Sequence, residues 1–369
     1  MLNQYNNEYN VDALYIHIPF CIKKCDYCDF LSFKIEKDME EKYMKYLLKE
    51  LSMYSDYTYD TIYIGGGTPS IIKPENIKIL LENIKIKPNS EITIEVNPKT
   101  VDIEKFIEYR QMGINRISIG IQSFDNKKLS ILGRAHNIYE GKEAFFNSKK
   151  AGFDNVSLDL MFSTPDETIE ELKNDLKELF ELEPQHFSIY SLIWEEGTVF
   201  HEKLKKGIFQ MTDNDLEGEM YNLIIEEAKQ HNYTHYEISN FSKEEYQSKH
   251  NIKYWKNKNY VGIGLGASGY IENIRYTNKL NFDSYYSDID NKKMPRDNIE
   301  VIDKYDNEKY KAILNLRLLN EGYLPHGDKY IKLCESLKEK KLLKRTINGK
   351  YMLTKKGLFI ANDVMEVFL

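Results

Sequence analysis

The chain has 369 residues and a net charge of −7; 41% of its residues are hydrophobic and 30% are charged. This composition is typical of a globular protein with enough apolar material for a large core and two or three domains. The negative charge argues against a nucleic-acid-binding protein, and no apolar run approaches membrane-spanning length. The first ten residues are polar and lack a cleavable signal pattern, so we expect a cytoplasmic protein without a transmembrane segment.

Three of the four cysteines lie close together, with the spacing C-x3-C-x2-C. They are Cys21, Cys25 and Cys28, and they follow residues 14–18, a predicted buried strand that Pro19 ends. The cysteines therefore lie on a loop that leaves the carboxyl end of a strand. Such a loop can surround a compact inorganic group.

Thiolates select zinc or iron–sulfur clusters. A structural zinc site needs four ligands, and His17 or Asp29 would have to complete it, because Cys334 is far away in the sequence. A [4Fe–4S] cluster held by three cysteines leaves one iron open for a substrate or cofactor. A disulfide is disfavoured because the loop holds an odd number of cysteines. The spacing favours the cluster, with zinc as the alternative.

Predicted strands and helices alternate after the cysteine loop. The strands are 61–64, 91–96, 116–121, 156–160 and 185–192, and the helices are 38–54, 74–83, 102–112, 126–132, 138–150 and 168–181. This alternation predicts an α/β fold with a parallel sheet and helices outside it. Counted from the first strand, six such units are too few for a closed eight-stranded barrel, so we expect an open, partial (β/α)6 barrel.

Chemically useful residues fall at or just past the carboxyl ends of the predicted strands, namely Cys21, Gly66, Glu95, Gln122 and Asp159. In β/α architectures that edge of the sheet is where ligands bind, so the pattern predicts a ligand site there. The glycine run 65–67 lets a ligand approach the backbone closely, although a tight turn is an equal interpretation of the run alone. It is not a Walker phosphate loop, because no Lys-Ser or Lys-Thr pair follows.

The cysteine spacing, with Tyr27 before the last cysteine, resembles the radical S-adenosylmethionine (SAM) superfamily. The segment 14–30, which contains LYIHIPFC and YCDF, resembles more closely the family of the anaerobic coproporphyrinogen III dehydrogenase HemN and the haem chaperone HemW. The resemblance covers nearly the whole chain from about Leu14. It implies a radical-SAM partial barrel with a [4Fe–4S] cluster on Cys21, Cys25 and Cys28.

The resemblance also implies a SAM site. The residues that match SAM contacts of the family are Tyr15, Tyr27, Gly66, Gly67, Thr68, Glu95, Gln122, Arg134 and Asp159. Arg134 lies in the segment LGRAH, which fits the family pattern L-G-R-x-H; the alternative is a solvated surface arginine.

The segment from His250 to Trp255 reads H-N-x-x-Y-W and resembles the haem-binding motif of HemW, with His250 as the candidate axial ligand. A neutral imidazole is a good iron ligand, and Tyr254 and Trp255 offer flat faces to a macrocycle. The alternative is a histidine satisfied by hydrogen bonds in an ordinary core. The chain departs from the family at Ser268, usually histidine, and at Ser163-Thr164, usually Gly-Leu, and both departures lie near the expected site.

We expect three segments. They are a radical-SAM partial barrel in residues 1–200 with its cluster loop at 19–30, a barrel extension in 201–300 with the H-N-x-x-Y-W motif, and a small α+β domain in 301–369. The last segment predicts helix, helix, hairpin and helix, with Asn348-Gly349 as a two-residue hairpin loop. This order is winged-helix-like, but the family's C-terminal domain explains it better than a nucleic-acid-binding role.

Two features favour HemW over HemN. HemN has a fourth cysteine two residues after the third, where this chain has Phe30, and HemN also has a longer segment before the first strand. The resemblance therefore implies a haem chaperone with a cluster and SAM, which hands haem to haem proteins such as respiratory-chain components. An oxygen-independent coproporphyrinogen III dehydrogenase is the alternative, and a winged-helix nucleic-acid binder with a structural metal is a third. We predict no catalytic residue and no nucleic-acid partner, and peripheral membrane association stays open.

Overall fold

The computed structural model of the protein describes residues 11–369, so the expectation about a signal sequence falls outside the described residues. The strands are β1 (Ala13–Ile18), β2 (Phe20–Cys21), β3 (Phe33–Lys34), β4 (Tyr59–Gly66), β5 (Ile86–Val96), β6 (Arg116–Gln122), β7 (Asn155–Phe162), β8 (His186–Ser191), β9 (Thr234–Glu237), β10 (Asn240–Ser242), β11 (Val261–Ile263), β12 (Ser268–Ile271), β13 (Ile274–Asn278), β14 (Arg296–Val301), β15 (Leu343–Arg345) and β16 (Tyr351–Leu353).

The helices are α1 (Met39–Ser52), α2 (Pro74–Glu82), α3 (Ile103–Gln111), α4 (Asn126–Ile131), α5 (Ile138–Lys150), α6 (Ile169–Leu182), α7 (Val199–Lys205), α8 (Asn214–Gln230), α9 (Lys249–Trp255), α10 (Phe282–Asp290), α11 (Lys304–Asn315), α12 (Asp328–Glu339), α13 (Lys355–Phe359) and α14 (Ala361–Glu366). Within residues 11–369, no helix has both the length and the apolar character needed to cross a bilayer.

A nine-stranded sheet organises the fold, in the order β11-β1-β4-β5-β6-β7-β8-β10-β9. The first seven strands in this order are parallel, and β10 pairs antiparallel with both β8 and β9. The α/β partial barrel and its six predicted strands are therefore confirmed. The structure adds β11 beside β1 and the β9–β10 hairpin beyond β8, so the sheet is wider at both edges than the sequence predicts.

Each barrel strand has one apolar and one polar face. In β4, Ile62 and Ile64 are buried in the main hydrophobic cluster, whereas Tyr63 donates a hydrogen bond to Glu95 of β5. Because side chains alternate along a strand, the apolar residues pack beneath the helices and the polar ones line the inside of the barrel. The polar residues of this inner face include Tyr15, His17, Thr61, Tyr63, Glu91, Thr93, Glu95, Arg116, Ser118, Ser157, Asp159, His186 and Ser188.

The C-terminal residues have a hydrophobic cluster of their own, which runs from Ala312 to Phe368 and includes Cys334. The order of α11, α12, β15, β16 and the two last helices matches the predicted small α+β unit. The division into segments 1–200, 201–300 and 301–369 remains a prediction. One detail of the hairpin differs: Thr346 N–H bonds to Lys350 O at 2.7 Å, which encloses three residues, 347–349, instead of the predicted two. Gly349, at φ 80°, takes the left-handed position.

Candidate functional site

The cysteine loop leaves β1 at the carboxyl edge of the sheet and returns through a short parallel pair, β2 with β3. The Phe33 N–H bonds to Pro19 O at 2.8 Å and closes the base of the loop. The buried Phe20 anchors it, since its ring packs on Tyr43 at 5.3 Å and on Phe282 at 6.1 Å between ring centroids. The rest of the loop can therefore project from the barrel without losing its position.

Cys21, Cys25 and Cys28 are all half-buried free thiols on this loop. Two polar side chains from other parts of the barrel reach them. The Thr68 hydroxyl lies 3.5 Å from Cys21 Sγ, and Nη1 of Arg134 lies 3.4 Å from Cys25 Sγ. Burial raises the pKa of the Cys28 thiol to about 11. Donors aimed at two of the three sulfurs favour negative charge on these sulfurs, as metal ligation requires.

The two residues considered as extra zinc ligands are not arranged for that task. Both ring nitrogens of His17 are engaged, Nδ1 with the Tyr15 hydroxyl at 2.9 Å and Nε2 with Leu31 O at 3.1 Å. Asp29 is exposed to solvent. Across residues 11–369, no three His, Cys, Asp or Glu side chains converge as a site for one metal ion, and this includes the three cysteines. Zinc is therefore disfavoured by the engagement of both His17 ring nitrogens.

The glycine turn after β4 packs directly against the cysteine loop. Gly66 has φ 116°, and a Cβ there would lie 2.7 Å from the ring of His17. A Cβ on Gly67 would lie 3.0 Å from Cys21 Sγ and 2.6 Å from the backbone O of Phe20. The chain itself therefore requires glycine at both positions, and the turn lies within contact distance of the first thiol.

Glu95 joins this turn to the inner face of the barrel. Its Oε2 accepts the Gly66 N–H at 3.2 Å, and its Oε1 accepts the Tyr63 hydroxyl at 2.8 Å. Burial raises the pKa of the Glu95 carboxyl to about 7, with the nearby Asp159 as a further cause. Asp159 lies on the same face, where Ser118 donates to it at 2.9 Å, and burial raises its pKa as well.

The end of β6 brings three other predicted residues together. Gln122 has φ 71° and lies at an irregularity in the pairing of β6 with β7. Arg134 crosses the same strand end, since its Nη2 donates to Gly120 O at 2.7 Å. The half-buried ring of Tyr27 lies beside Arg134, with its centroid 6.3 Å from that of Phe200. Arg134 is therefore a half-buried cation held at the cluster loop, and these contacts do not match a solvated surface arginine.

The structure does not bring His250 to the thiols. The histidine lies on α9, at the opposite end of β4 from the glycine turn. It is fully buried, with Nδ1 2.9 Å from the Thr61 hydroxyl and Nε2 2.6 Å from the Tyr254 hydroxyl. Glu91, in the middle of β5, accepts the His250 N–H at 3.0 Å. In this arrangement both ring nitrogens have partners, which matches the hydrogen-bonded alternative, and ligation by His250 remains a prediction.

Tyr63 links the two ends of the site. Its ring centroid lies 5.4 Å from that of His250, and its hydroxyl is bonded to Glu95. The sequence reasoning missed Tyr63 and the other inner polar residues, such as Thr61 and Ser118. Their signal was present, because polar residues alternate with isoleucine in T-I-Y-I and R-I-S-I.

The two departures from the family pattern lie in different surroundings. Ser268 is exposed and its hydroxyl lies 3.2 Å from that of Thr277. Ser163 is buried at φ 60°, and Thr164 N–H bonds to the carboxylate of Glu167 at 2.9 Å. Ser163 and Thr164 are thus buried, hydrogen-bonded parts of the loop that follows β7.

Comparison with known proteins gives a consistent result. The family model of the radical SAM superfamily matches residues 15–179. The chain is 34% identical to the heme chaperone HemW of Lactococcus lactis, with 97% of each chain covered. It is 34% identical to that of Bacillus subtilis (97% of this chain, 99% of the relative) and 33% identical to that of Escherichia coli K12 (97% and 98%).

Among solved structures, the chain is similar to coproporphyrinogen III oxidase (HemN) from Escherichia coli, a radical SAM enzyme. The TM-score is 0.83 at 19% sequence identity, with 98% of this chain and 90% of that chain covered. At this identity the likeness concerns the fold, and it confirms the open barrel with its C-terminal unit. The close sequence relatives and this shared fold agree, and the chain belongs to the HemN/HemW family of the radical SAM superfamily.

Proposed function

We propose that this protein is a haem chaperone of the radical SAM class, which binds a [4Fe–4S] cluster, SAM and haem and transfers haem to haem proteins such as respiratory-chain components. The observation that carries the proposal is the similarity over 97% of the chain to relatives named heme chaperone HemW. The proposed location is the cytoplasm, and peripheral contact with a membrane is compatible with it.

The donor chemistry of the cysteine loop supports the cluster. Three thiols at this spacing suit iron–sulfur ligation, and a cube on three cysteines leaves one iron open for SAM. The guanidinium of Arg134 and the hydroxyl of Thr68 would stabilise the thiolate charge by hydrogen bonds to sulfur. Bound there in its reduced form, the cluster would supply an electron to SAM.

The residues next to the cluster loop support a SAM site. The carboxylate of Glu95 accepts the Gly66 N–H at 3.2 Å, so it lies beside the turn of Gly66, Gly67 and Thr68 at the edge of the sheet. SAM carries a cationic amino group that a carboxylate can hold. Gln122 and Arg134, which lie at the carboxyl end of β6, would complete the wall of the site.

The H-N-x-x-Y-W segment is the proposed contact with haem. Its aromatic pair, Tyr254 and Trp255, is partly exposed and offers flat faces to a macrocycle. If His250 binds the iron, its Nε2 must first release the Tyr254 hydroxyl, because the pair is bonded at 2.6 Å. Haem uptake through this histidine therefore implies a local opening of α9.

The test uses anaerobically reconstituted protein in two mixtures, one with haem and one with coproporphyrinogen III and SAM. The proposal predicts a sharp Soret band with haem and no protoporphyrinogen in the second mixture. It also predicts that haem moves from the loaded protein to an apo haem protein. Protoporphyrinogen formed together with 5′-deoxyadenosine would make the protein a coproporphyrinogen dehydrogenase instead.

A further inference from the structure

A surface cavity of about 240 Å³ lies beside the aromatic pair of the H-N-x-x-Y-W segment. Tyr254 and Trp255 of α9 form one side of it, Tyr260 another, and Arg275 of β13 a third. Its volume is below the roughly 300–1,000 Å³ of pockets that enclose a whole small molecule. The cavity can therefore take one edge of a larger planar ligand.

Arg275 is held rigidly at this cavity. Its guanidinium lies between two aromatic rings, 4.3 Å from the centroid of Tyr270 and 4.1 Å from that of Tyr310, and one Nη donates to Asn257. Such stacking fixes the plane of the guanidinium while leaving hydrogen-bond donors at its edge. A rigid guanidinium is well suited to bind a carboxylate through two parallel hydrogen bonds.

The charge of Arg275 is not neutralised by an ion pair. Within residues 11–369, no carboxylate lies within 4.0 Å of its guanidinium nitrogens, and its Nε is buried without a hydrogen-bond partner. Glu300 faces Arg275 across the strands, but its carboxylate accepts the hydroxyl of Tyr310 at 2.9 Å. A partly buried cation without a counter-ion is costly, so an anionic ligand would gain free energy by binding here.

Two more donors among the residues that line the cavity have no partner within residues 11–369, and only one of them is exposed. The indole N–H of Trp255 is buried without an acceptor, and Lys258 is exposed without an ion pair. By contrast, Arg317, which covers the Trp255 ring at 4.3 Å, is already paired with Glu237. Lys258 is thus a second cation of the cavity lining without an ion pair, beside Arg275.

We propose that this cavity binds a propionate edge of haem, with Arg275 as the residue that recognises the carboxylate. The ligand class follows from the lining, which combines a fixed cation and aromatic walls, and so suits an acid group attached to a flat apolar ring. This inference rests on the proposed haem-chaperone function. The ring of Tyr254 lines the cavity while its hydroxyl is bonded to His250, so an edge bound here lies against the motif itself.

The test compares haem with haem dimethyl ester, in which both propionates are esterified, by Soret titration of the full-length protein. The wild type should bind the ester about tenfold or more weakly than haem, since charge-assisted hydrogen bonds are lost. Arg275→Gln should bind haem about tenfold or more weakly but bind the ester as the wild type does. Arg275→Lys should recover only part of the affinity, because a lysine lacks the planar fork.

Arg296→Gln is the matched control. Arg296 is also half-buried and stacked, 4.0 Å from the centroid of Tyr276, but it does not line the cavity, and its substitution should leave both affinities unchanged. Equal binding of haem and ester by the wild type would overturn the inference even if Arg275→Gln fails to fold. So would equal loss of both ligands in a folded Arg275→Gln variant. Failure of the wild type to bind haem at all would instead overturn the proposed function.

Discussion

Nη1 of Arg134 lies 3.4 Å from Sγ of Cys25, while Nη2 of the same guanidinium donates to Gly120 O at 2.7 Å. The arginine thereby ties the cysteine loop to the end of β6. Arg134→Met should leave the iron content unchanged but lower the reduction potential of the cluster, because a cation next to a thiolate favours the reduced form. It should also weaken SAM binding about tenfold. Spectroelectrochemical titration and equilibrium dialysis measure the two effects, with the exposed Arg110→Met as control.

Cys25→Ala should abolish the cluster, because two thiolates cannot hold a cube whose third corner is lost. The measurement is iron and sulfide per chain after anaerobic reconstitution. Cys334→Ala is the matched control, since Cys334 is buried in the separate C-terminal cluster and should not affect iron binding. A Cys25→Ala protein with full iron would show that the loop does not hold the cluster in the way proposed.

Lys128 should contribute strongly to stability. Its ammonium is buried between Glu167 at 2.5 Å and Asp175 at 3.1 Å, and Asp175 also accepts the Phe124 N–H at 2.6 Å. Lys128→Met leaves two buried carboxylates without their cation and should lower the free energy of unfolding by about 3–5 kcal/mol. Urea denaturation checks this, with the exposed neighbour Lys127→Met as control. A loss below about 1 kcal/mol would contradict the prediction, because it would show that Glu167 and Asp175 do not need the ammonium of Lys128.

Glu50 should make stability depend on pH. It is fully buried, accepts hydrogen bonds from Gly264 N–H and the Tyr285 hydroxyl, and its pKa is raised by burial from 4.5 to about 7. A carboxyl with a raised pKa in the folded state stabilises the fold below its unfolded pKa, and this stabilisation is lost as the pH rises from about 4.5 through 7. The shift corresponds to about 3 kcal/mol.

The free energy of unfolding of the wild type should therefore fall more steeply between pH 5 and pH 8 than that of Glu50→Gln, whose side chain does not titrate. Urea denaturation at several pH values gives both curves. Parallel curves would show that Glu50 has the same ionisation in both states.

His250 should matter for folding regardless of haem. Its ring is fully buried and bonded on both sides, to Thr61 and Tyr254. His250→Ala leaves a cavity and two unpaired hydroxyls and should lower the free energy of unfolding by about 2–4 kcal/mol. A Soret titration of the same variant tests ligation: an unchanged band and affinity would exclude His250 as the axial ligand. Thr61→Val is the control for loss of the hydrogen bond alone.

The barrel could be predicted because its signals are local. Helix α5 was predicted residue for residue at 138–150, and Asn137 with Glu140 forms the capping box that fixes its start. The pairing of β11 with β1 could not be predicted, because the short segment Val261–Ile263 carries no sign of a partner so far away in the chain. Strand pairing over long sequence distances depends on the packed fold.

In the candidate site too, some neighbours could be predicted from the sequence, whereas others depend on the packed fold. Gly66 and Glu95 could be predicted as neighbours, because the carboxyl ends of adjacent parallel strands meet at one edge. The contact of Arg134 with Cys25 was implied by no pattern in the residues, since it depends on the course of the loop between α4 and α5. The cavity at Arg275 also lay outside sequence reasoning, because it forms where three separate elements meet.

The position of β11 has a consequence for biosynthesis. β1, which carries the cysteine loop, pairs with β4 on one side and with β11 on the other. While the chain is being made, that second side of β1 must remain open until residues near 263 have left the ribosome. Since Gly264 N–H and Leu265 N–H then bond to Glu50 and Tyr43, the helix behind the loop also gains its last partners late. The iron site thus reaches its final surroundings only when most of the polypeptide exists.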